Sequence, residues 1–290
     1  MKIGVVANLA KPATATVLER LSAAAEGLGV SFRATDEETA ERLGGEVMAG
    51  DGFAAGLDAV LSVGGDGTVL RAVRMLLGAR IPVMGIHAGH VGFLTGASAE
   101  EAGVALQALA TGQVQVTEHS LLQAILYRRG GARAAGRWLA LNDVVLGWGE
   151  EPKAAMLELA VDGTLVASYV CDGLIVATPV GSTGHALSAG GPILHRGTRA
   201  VVIEPICPHT LSSRSLVLPD TCGITLRVAE GGREMMVSVD GQSGGWVKAG
   251  DRIEIRKARE RALFAELPSH SWFRMLSQKL HWRGSSREGK

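Results

Sequence analysis

The first third of the chain alternates short apolar runs with segments in which apolar residues recur at helical spacing. Buried strands are predicted by the apolar runs at 2–7, 30–34, 58–63 and 81–86. Helices are predicted over 14–28, over 36–48 and from residue 68 onward. A fourth helix is predicted to begin at the capping box of residues 98–101 and to reach about residue 110. Repeated strand–helix units of this kind are typical of a parallel sheet covered by helices, which binds ligands at the carboxyl ends of its strands.

After Gly112 the pattern changes to apolar runs with little room for helices between them. Strands are predicted at 114–127, 138–148, 154–161, 164–170, 173–178, 199–204, 223–228, 234–239 and 252–256. Asp162-Gly163 is a hairpin turn signal between two of these runs. Apolar residues at helical spacing predict a last helix over 269–282.

These patterns predict two domains of different class. We expect an α/β domain with a Rossmann-like parallel sheet over residues 1–112, and a mainly β domain over 113–250. Residues 251–290 are expected to form a C-terminal segment whose helix packs back on the first domain.

Composition narrows the class of partner. Lys+Arg and Asp+Glu number 29 each, so no overall charge draws the chain to nucleic acid or to an anionic membrane, and a small-molecule partner is predicted. The three cysteines, Cys171, Cys207 and Cys222, lie too far apart for a zinc site. We expect reduced thiols in a cytoplasmic protein, because no apolar run is as long as a membrane span and the chain opens in a strand.

A glycine-rich turn joins the predicted strand at 58–63 to the helix that follows it. Gly64, Gly65 and Gly67 lack the Cβ atoms that would hold a ligand away, and their amides can converge on an anion together with those of the helix start. The charge of Asp66 repels phosphate, which suggests a metal ligand or a base facing a hydroxyl group that receives a phosphoryl group. The alternative is that Asp66 caps the helix or supports the turn.

A second polar cluster spans residues 177–192, with four hydroxyls and four glycines in a mostly apolar neighbourhood. The hydroxyls of Ser182, Thr183 and Ser188 can donate to and accept from a nucleoside. The alternative is a structural loop with helix-capping hydroxyls. Asn142 and Asp143 likewise interrupt an apolar strand, although such pairs are also common in turns.

The polar motifs, taken in order, carry a resemblance to a known family. They are Gly64-Gly-Asp-Gly-Thr68, Gly89-His-Val-Gly-Phe-Leu94, Leu141-Asn-Asp143, Asp172-Gly173, Thr178-Pro-Val-Gly-Ser-Thr183 with Ser188-Ala-Gly-Gly-Pro192, and Val239-Asp-Gly-Gln242. With these motifs the sequence resembles the NAD kinases over nearly its whole length. The first motif also occurs in lipid kinases of the diacylglycerol type and, in related form, in phosphofructokinases, whereas the later motifs in this order are more specific.

The resemblance implies an enzyme that transfers a phosphoryl group from ATP or polyphosphate to the 2′-hydroxyl of the adenosine ribose of NAD, giving NADP. It implies that Asp66 is the proton acceptor for that hydroxyl. The glycine turn, Thr68 and Arg71 would bind phosphates or the dinucleotide. The other positions that the resemblance assigns to substrate binding are Phe93, Asn142, Asp143, Lys153, Asp172, Thr183, Gly184, His185, Ala186, Leu187, Ser188 and Gln242.

Two positions depart from the family pattern. The family usually has glutamate where this chain has Asp143, so the carboxylate is one methylene shorter. It usually has Ala-Tyr where this chain has Gly184-His185, and histidine keeps a flat ring that can stack and hydrogen-bond. We therefore expect a substrate site that is retained with altered geometry.

A divalent cation, Mg²⁺, is expected to bind mainly through the substrate phosphates, as is common for this ion. No metal site is predicted among the protein's own side chains, because His87 and His90 have no third ligand nearby in sequence. The resemblance also implies a homo-oligomer, a dimer or tetramer. Two alternatives stay open: a non-catalytic sensor of NAD or NADP, and a lipid or sugar kinase that shares only the first motif.

Overall fold

The computed structural model describes residues 1–147 and 154–282, which form two compact units. Unit 1 comprises Met1–Glu118 and the chain from Ala262 onward, and unit 2 comprises His119–Arg261. The division thus falls at 118/119 and 261/262, near the domain boundaries that we predicted at 112/113 and 250/251. Each unit is described separately below.

Unit 1 contains strands and helices in alternation. In chain order these are β1 (Lys2–Ala7), α1 (Ala13–Ala25), β2 (Ser31–Ala34), α2 (Glu37–Leu43), β3 (Glu46–Val47), β4 (Ala59–Gly64), α3 (Asp66–Met75), β5 (Pro82–His87), β6 (Ala97–Ser98), α4 (Ala102–Ala110) and the start of β7 (Gln115–Tyr127).

Unit 2 is built mainly from strands. They are the rest of β7, then β8 (Ala134–Ala140), β9 (Asp143–Gly147), β10 (Ala155–Val161), β11 (Thr164–Cys171), β12 (Gly173–Ala177), the short helix α5 (His185–Ser188), β13 (Ala200–Ile206), β14 (Leu216–Pro219), β15 (Ile224–Val228), β16 (Met235–Val239), β17 (Gln242–Val247) and β18 (Arg252–Glu266). The end of β18 and helix α6 (Trp272–Lys279) belong to unit 1.

The sheet of unit 1 is parallel, with the strand order β5–β4–β1–β2–β3. The last part of β18 adds to its β5 edge, where Leu263 pairs with Pro82. The chain leaves β1 towards β2 and β3 and later returns to the other side of β1 as β4, so the strand order reverses between β1 and β4. In open α/β sheets, ligands bind outside the carboxyl ends of the strands at such a switch point.

The core of unit 1 explains why the central strands read as continuous apolar runs. All six residues of β4 are buried, as expected for a central strand that is covered on both faces. Leu61 lies in a cluster with Leu18 and Leu21 of α1 and with Leu106 of α4. In α6, the buried residues are Trp272, Met275 and Leu276, whereas Phe273 is 67% exposed.

One predicted helix in unit 1 is shorter than expected. The helix predicted over 36–48 ends at Leu43, and Gly44 adopts a left-handed conformation with φ 61°. Its N–H donates to the carbonyls of Ala40 and Glu41, which closes the last turn. The chain is then free to add the short strand β3, which had been assigned to the helix.

Unit 2 contains two antiparallel arrays of strands that share one core. The first has the order β11–β10–β15–β18, with β7 and β8 alongside, and the second has the order β14–β13–β12–β9–β16–β17. Leu157 and Leu226 from the first array and Leu174 and Val237 from the second lie in one buried cluster. The predicted hairpin joins β10 to β11, and Asp162 and Gly163 both have positive φ, at 47° and 82°.

Three predictions for unit 2 need correction. The strand predicted over 138–148 is two strands, β8 and β9, which are separated at Leu141 and Asn142. The strand predicted over 252–256 continues to Glu266. The strands β14 and β17 had not been predicted, and β17 is hard to recognise because Gly244 and Gly245 weaken its apolar alternation.

The two architectures confirm the predicted fold class: an α/β unit with a parallel sheet, a mainly β unit, and a C-terminal helix in the first. Within the described ranges, no helix is long and apolar enough to cross a membrane.

Leu61 provides a test of the core of unit 1, because its side chain is fully buried in the centre of the sheet. The substitution Leu61→Ala is expected to lower the free energy of unfolding by ~2–5 kcal/mol, since it removes buried methyl groups and leaves a cavity. Chemical denaturation measures the change. Leu77→Ala is the matched control, because Leu77 is 38 % exposed and should change stability by less than about 0.5 kcal/mol. Equal losses in both variants would contradict this core assignment.

Candidate active site

The glycine turn lies where β4 ends and α3 begins, beside the switch point of the unit 1 sheet. Gly65 is the N-cap of α3, and its carbonyl accepts the N–H groups of Thr68 and Val69 at 2.9 and 3.1 Å. The Thr68 hydroxyl is buried and accepts the N–H of Gly65 at 3.4 Å. The first amides of α3 therefore lie directly behind a turn that carries few side-chain atoms, which is an arrangement suited to an anion.

The carboxylate of Asp66 is held by a second turn, the one that follows β5. Its Oδ2 accepts the N–H of Phe93 and its Oδ1 accepts the N–H of Leu94, both at 2.9 Å. A Cβ atom on Gly92 would lie 2.0 Å from Oδ1, so only glycine permits this close approach. The two turns of the sheet edge are thereby joined through one acidic side chain.

These contacts bear on both sequence interpretations of Asp66, because the carboxylate supports the turn after β5 but does not cap α3. The carboxylate does not bond to the first turn of α3, where Gly65 is the cap, so helix capping does not explain it. A carboxylate offers about four acceptor positions, and each Asp66 oxygen uses one for a backbone N–H. The two hydrogen bonds fix the orientation of the carboxylate. Because the side chain is only half-buried, its remaining acceptor positions are accessible to a hydroxyl group.

Phe93 and Arg71, two predicted ligand contacts, have partners elsewhere in unit 1. The half-buried ring of Phe93 has the Lys279 ammonium of α6 over it, 5.4 Å from the ring centre. Arg71 is exposed on α3, and its Nη2 donates to the Thr35 hydroxyl at 3.1 Å, just beyond the end of β2. Gly67 is exposed, with open space where a Cβ would stand.

In unit 2 the segment 141–143 is organised by Asp240. Its carboxylate accepts three consecutive backbone N–H groups, those of Leu141 at 2.8 Å, Asn142 at 2.7 Å and Asp143 at 3.1 Å. Asp240 is buried and has a left-handed backbone, with φ 46°. We assigned no role to this residue from the sequence, although it stands inside the motif that ends in Gln242. Its contacts explain why the apolar strand breaks at Asn142.

The side chains of Asn142 and Asp143 are in an unusual electrostatic setting. Burial, with a smaller contribution from the Asp240 carboxylate, raises the pKa of Asp143 to about 7. The Oδ1 atom of Asn142 is buried and has no hydrogen-bond partner within the part of the chain that the structure describes. A buried amide oxygen without a partner costs free energy, so it marks a position where a ligand hydroxyl fits.

The loop after β12 packs directly on this segment. The Thr178 hydroxyl donates to the Leu141 carbonyl at 2.6 Å, and the Thr178 N–H donates to the Asn142 carbonyl at 2.8 Å. A Cβ atom on Gly181 would lie 2.0 Å from that same Asn142 carbonyl oxygen, so the loop approaches as closely as a backbone can. The Leu141-Asn-Asp143 motif and the polar cluster at 177–192 therefore form one assembly in unit 2.

Two hydroxyls of this loop have internal partners. Ser182 Oγ is buried, donates to the Pro179 carbonyl at 2.7 Å and accepts the N–H of Leu194 at 3.0 Å. The Thr183 hydroxyl is buried and donates to the Val180 carbonyl at 3.1 Å. The structural interpretation thus accounts for Ser182, while Thr183 retains acceptor capacity.

The residues that follow form the short helix α5. His185 and Ser188 are exposed, and the Ser188 hydroxyl lies 3.5 Å from the Gly184 carbonyl. Ala186 is buried in a small apolar cluster, and Leu187 is partly covered. The His185 ring is therefore at the surface of unit 2, where it can reach a ligand without breaking a core contact.

Three further predicted positions are more isolated. Asp172 is half-buried before β12, and its N–H donates to the Ile206 carbonyl at 2.9 Å. Gln242 is the exposed first residue of β17. Lys153 lies outside the described residues.

The side chains of the described ranges include no group of three or more His, Cys, Asp or Glu residues placed to hold a metal ion. His87 is half-buried and its Nδ1 lies 2.9 Å from the Gly89 carbonyl, while His90 is exposed.

Comparisons with known proteins bear on both units. Residues 33–114 match the model of the ATP-NAD kinase N-terminal domain, and residues 141–267 match that of the ATP-NAD kinase C-terminal domain. The chain is 38% identical to the NAD kinase of Gemmatimonas aurantiaca, in an alignment that covers 100% of this chain and 99% of the relative. It is 34% identical to that of Geobacter sulfurreducens, with 97% and 98% covered.

Solved structures give the same result for the fold. The NAD kinase from Archaeoglobus fulgidus in complex with ATP superposes with a TM-score of 0.74 and 28% identity, covering 97% of this chain and 99% of that one. Yeast NADH kinase complexed with NADH has a TM-score of 0.89 at 24% identity, covering 100% and 90%, which shows a shared fold.

The contact between Asp66 and the turn after β5 can be tested through amide exchange. Gly92→Ala is expected to displace the carboxylate, because the new Cβ would overlap Oδ1. The amides of Phe93 and Leu94 then lose their acceptor, so their hydrogen-exchange protection should fall at least ~10-fold. Gly103→Ala is the control, because its Cβ would make an ordinary 3.4 Å contact. Unchanged protection in Gly92→Ala would contradict the role of these two hydrogen bonds.

Asp143 is expected to make stability depend on pH. Its pKa is about 7 in the folded chain and ~3.9 in an unfolded one, so the folded state binds more protons between these values. The free energy of unfolding should therefore fall as pH rises from about 4 to about 7, by up to about 4 kcal/mol from this group. Urea denaturation across this range measures the slope.

The substitution Asp143→Asn should remove that part of the slope, whereas Glu234→Gln, at an exposed position paired with Lys248, should retain it. Parallel curves for the unmodified chain and Asp143→Asn would contradict the assigned protonation.

Proposed function

Because the chain belongs to the NAD kinase family, we propose that it transfers the terminal phosphoryl group of ATP, or of inorganic polyphosphate, to the 2′-hydroxyl of the adenosine ribose of NAD, giving NADP. NAD kinases are phosphotransferases, and the Archaeoglobus fulgidus relative was solved in complex with ATP, which supports ATP as a donor here. The match of both family models and of full-length relatives disfavours a lipid or sugar kinase that shares only the glycine motif.

The observation that carries the mechanism is the fixed carboxylate of Asp66. It lies within the glycine turn, at the first residue of α3, and two backbone N–H groups orient it. A carboxylate in this position can accept the proton of a hydroxyl as its oxygen attacks a phosphorus atom. General bases of this kind contribute ~10²–10⁴-fold to the rate.

The glycine turn supplies the complementary charge. The amides of Asp66 and Gly67, at the N-terminal end of α3, favour the negative charge on the phosphates and on the transferring group. Arg71, one and a half turns further along the helix, can add a guanidinium to the same sheet edge.

Unit 2 is assigned to the acceptor substrate. The partnerless Oδ1 of Asn142 can accept from a ribose hydroxyl, and Asp143 can either donate or accept near neutral pH because of its raised pKa. Asp240 fixes three consecutive amides of this segment and thereby sets the backbone from which the shorter side chain of Asp143 extends. Thr183, Gly184, His185, Ser188, Asp172 and Gln242 are proposed to complete the contacts to adenosine and dinucleotide.

Magnesium is proposed to enter with the phosphates of the donor. When bound, it would neutralise charge that develops on the transferring phosphoryl group. The donor set fits this mode of binding, because the described side chains offer isolated carboxylates and no cluster of ligands.

A cytoplasmic location and a homo-oligomer are also proposed. All three cysteines are free thiols, in keeping with a reducing compartment. The hairpin of β10 and β11 exposes large apolar side chains, namely Met156, Leu165, Val166 and Val170, each at least 42% exposed. A second copy of the chain could cover such a surface.

Replacement of Asp66 tests the function directly. Asp66→Asn keeps the side-chain size but removes the base, so NADP formation should fall ~10²–10⁴-fold with either donor in the presence of Mg²⁺. The amide oxygen can accept only one of the N–H groups of Phe93 and Leu94, so near-ultraviolet circular dichroism checks that the fold is intact. Asp51→Asn, at an exposed turn, is the control and should leave turnover unchanged.

Near-normal NADP formation by folded Asp66→Asn would refute the assignment of the base. If the unmodified chain binds NAD or NADP but turns over neither donor, the chain would instead be a dinucleotide sensor.

A further inference from the structure

The loop that follows β1 brings Lys11 against the glycine turn. Its ammonium nitrogen lies 3.4 Å from the Gly64 carbonyl oxygen. A Cβ atom on Gly65 would lie 2.9 Å from that nitrogen. Any other residue at position 65 would therefore crowd the ammonium group of Lys11. Sequence spacing gave no hint of this contact, because 53 residues separate Lys11 from Gly64.

The loop that carries Lys11 is held by its own hydrogen bonds. The N–H of Asn8 donates to the Val63 carbonyl of β4 at 2.9 Å, which ties the loop to the strand that precedes the glycine turn. The side-chain oxygen of Asn8 accepts the N–H of Ala10 at 3.2 Å. The backbone carbonyl of Asn8 accepts the N–H of Lys11 at 3.2 Å and the Thr14 hydroxyl at 2.8 Å. The backbone of Lys11 is therefore positioned before any ligand arrives.

The ammonium group itself is poorly satisfied. Lys11 is half-buried and has three N–H donors, yet it forms no ion pair with a carboxylate of the described residues. Its contact with Gly64 is long, and the same carbonyl already accepts the N–H of Ala88 at 2.9 Å. At least two donors of a partly desolvated cation are thus available to an anion.

The position of Lys11 in the sheet shows where that anion would lie. β1 and β4 are adjacent, and their carboxyl ends flank the point at which the strand order reverses. Lys11 follows β1, and the glycine turn with the first amides of α3 follows β4. A cation, a turn with three glycines and a helix N-terminus therefore lie at the same edge of the sheet, where α/β sheets bind ligands.

We propose that Lys11 is a phosphate ligand that binds the phosphate chain of a substrate in the crevice between the loops after β1 and β4. This inference rests on the proposed function, and it adds a binding residue that the sequence motifs do not contain. The ammonium acts as a point charge with rotatable donors, which suits the successive oxygens of a phosphate chain. Gly65 keeps this space open for the ammonium.

The phosphate chain could belong to the donor or to the diphosphate of NAD, and kinetics separates the two. Lys11→Met, which keeps the length of the side chain and removes the charge, should raise the KM of the substrate that it binds ~10- to 100-fold. Lys11→Arg should recover most of the loss. Lys248→Met is the matched control, because Lys248 is exposed and paired with Glu234 at 3.0 Å, and both KM values should stay unchanged.

A direct binding measurement makes the test independent of turnover. Isothermal titration with inorganic tripolyphosphate should show ~10-fold or greater weakening in Lys11→Met and a smaller dependence of affinity on salt concentration. This comparison can be made even if the unmodified chain forms no NADP, so failure of the proposed function and failure of this inference are distinguishable.

A rise in the KM of ATP or polyphosphate alone assigns the phosphate chain to the donor, and a rise in the KM of NAD alone assigns it to NAD. Gly65→Ala displaces the ammonium of Lys11. It should therefore lower the affinity for tripolyphosphate less in the Lys11→Met background than in the otherwise unmodified chain. Folded Lys11→Met with tripolyphosphate affinity and both KM values within about twofold of the unmodified chain would overturn the proposal.

Discussion

The proposed chemistry of unit 1 depends on one constraint, the pair of hydrogen bonds that the carboxylate of Asp66 accepts from the amides of Phe93 and Leu94. It crosses from the turn after β4 to the turn after β5, and it requires a glycine at position 92. A carboxylate at the start of α3 would otherwise rotate freely beside a turn built for anions. Held by two amides, it keeps one orientation and leaves acceptor positions for a hydroxyl group. The proposed base and the amides proposed to bind phosphate can therefore act side by side.

Unit 2 uses the same device for a different purpose. Asp240 accepts three consecutive N–H groups of 141–143, and this forces the strand to break and presents Asn142 and Asp143 as a fixed pair. Charge-assisted bonds to backbone amides are among the stronger hydrogen bonds in proteins, so the geometry of both loops is set by carboxylates and not by loop length. This arrangement disfavours the charged form of the buried Asp143 carboxyl, since burial and the neighbouring Asp240 raise its pKa.

The sequence was informative where local pattern decides structure. The apolar runs located β1, β2, β4 and β5 of the parallel sheet but not β3, Asp162-Gly163 located a hairpin, and three glycines located the turn after β4. It was less informative where distant residues decide. The break at Asn142 depends on Asp240, which is 98 residues away, and the contact of Lys11 with Gly64 depends on β1 and β4 being neighbours. Strand adjacency is a property of topology, and the spacing of apolar residues along the chain does not encode it.

We propose that this chain phosphorylates one particular hydroxyl group of NAD, and the position of the transferred phosphate on the product identifies that hydroxyl. The unmodified chain would be incubated with NAD, Mg²⁺ and either ATP or polyphosphate, and the product examined by phosphorus and proton nuclear magnetic resonance. The account predicts a phosphate whose phosphorus couples to the proton on C2′ of the adenosine ribose. A phosphate on another oxygen, or consumption of the donor with no phosphorylated dinucleotide, would contradict it.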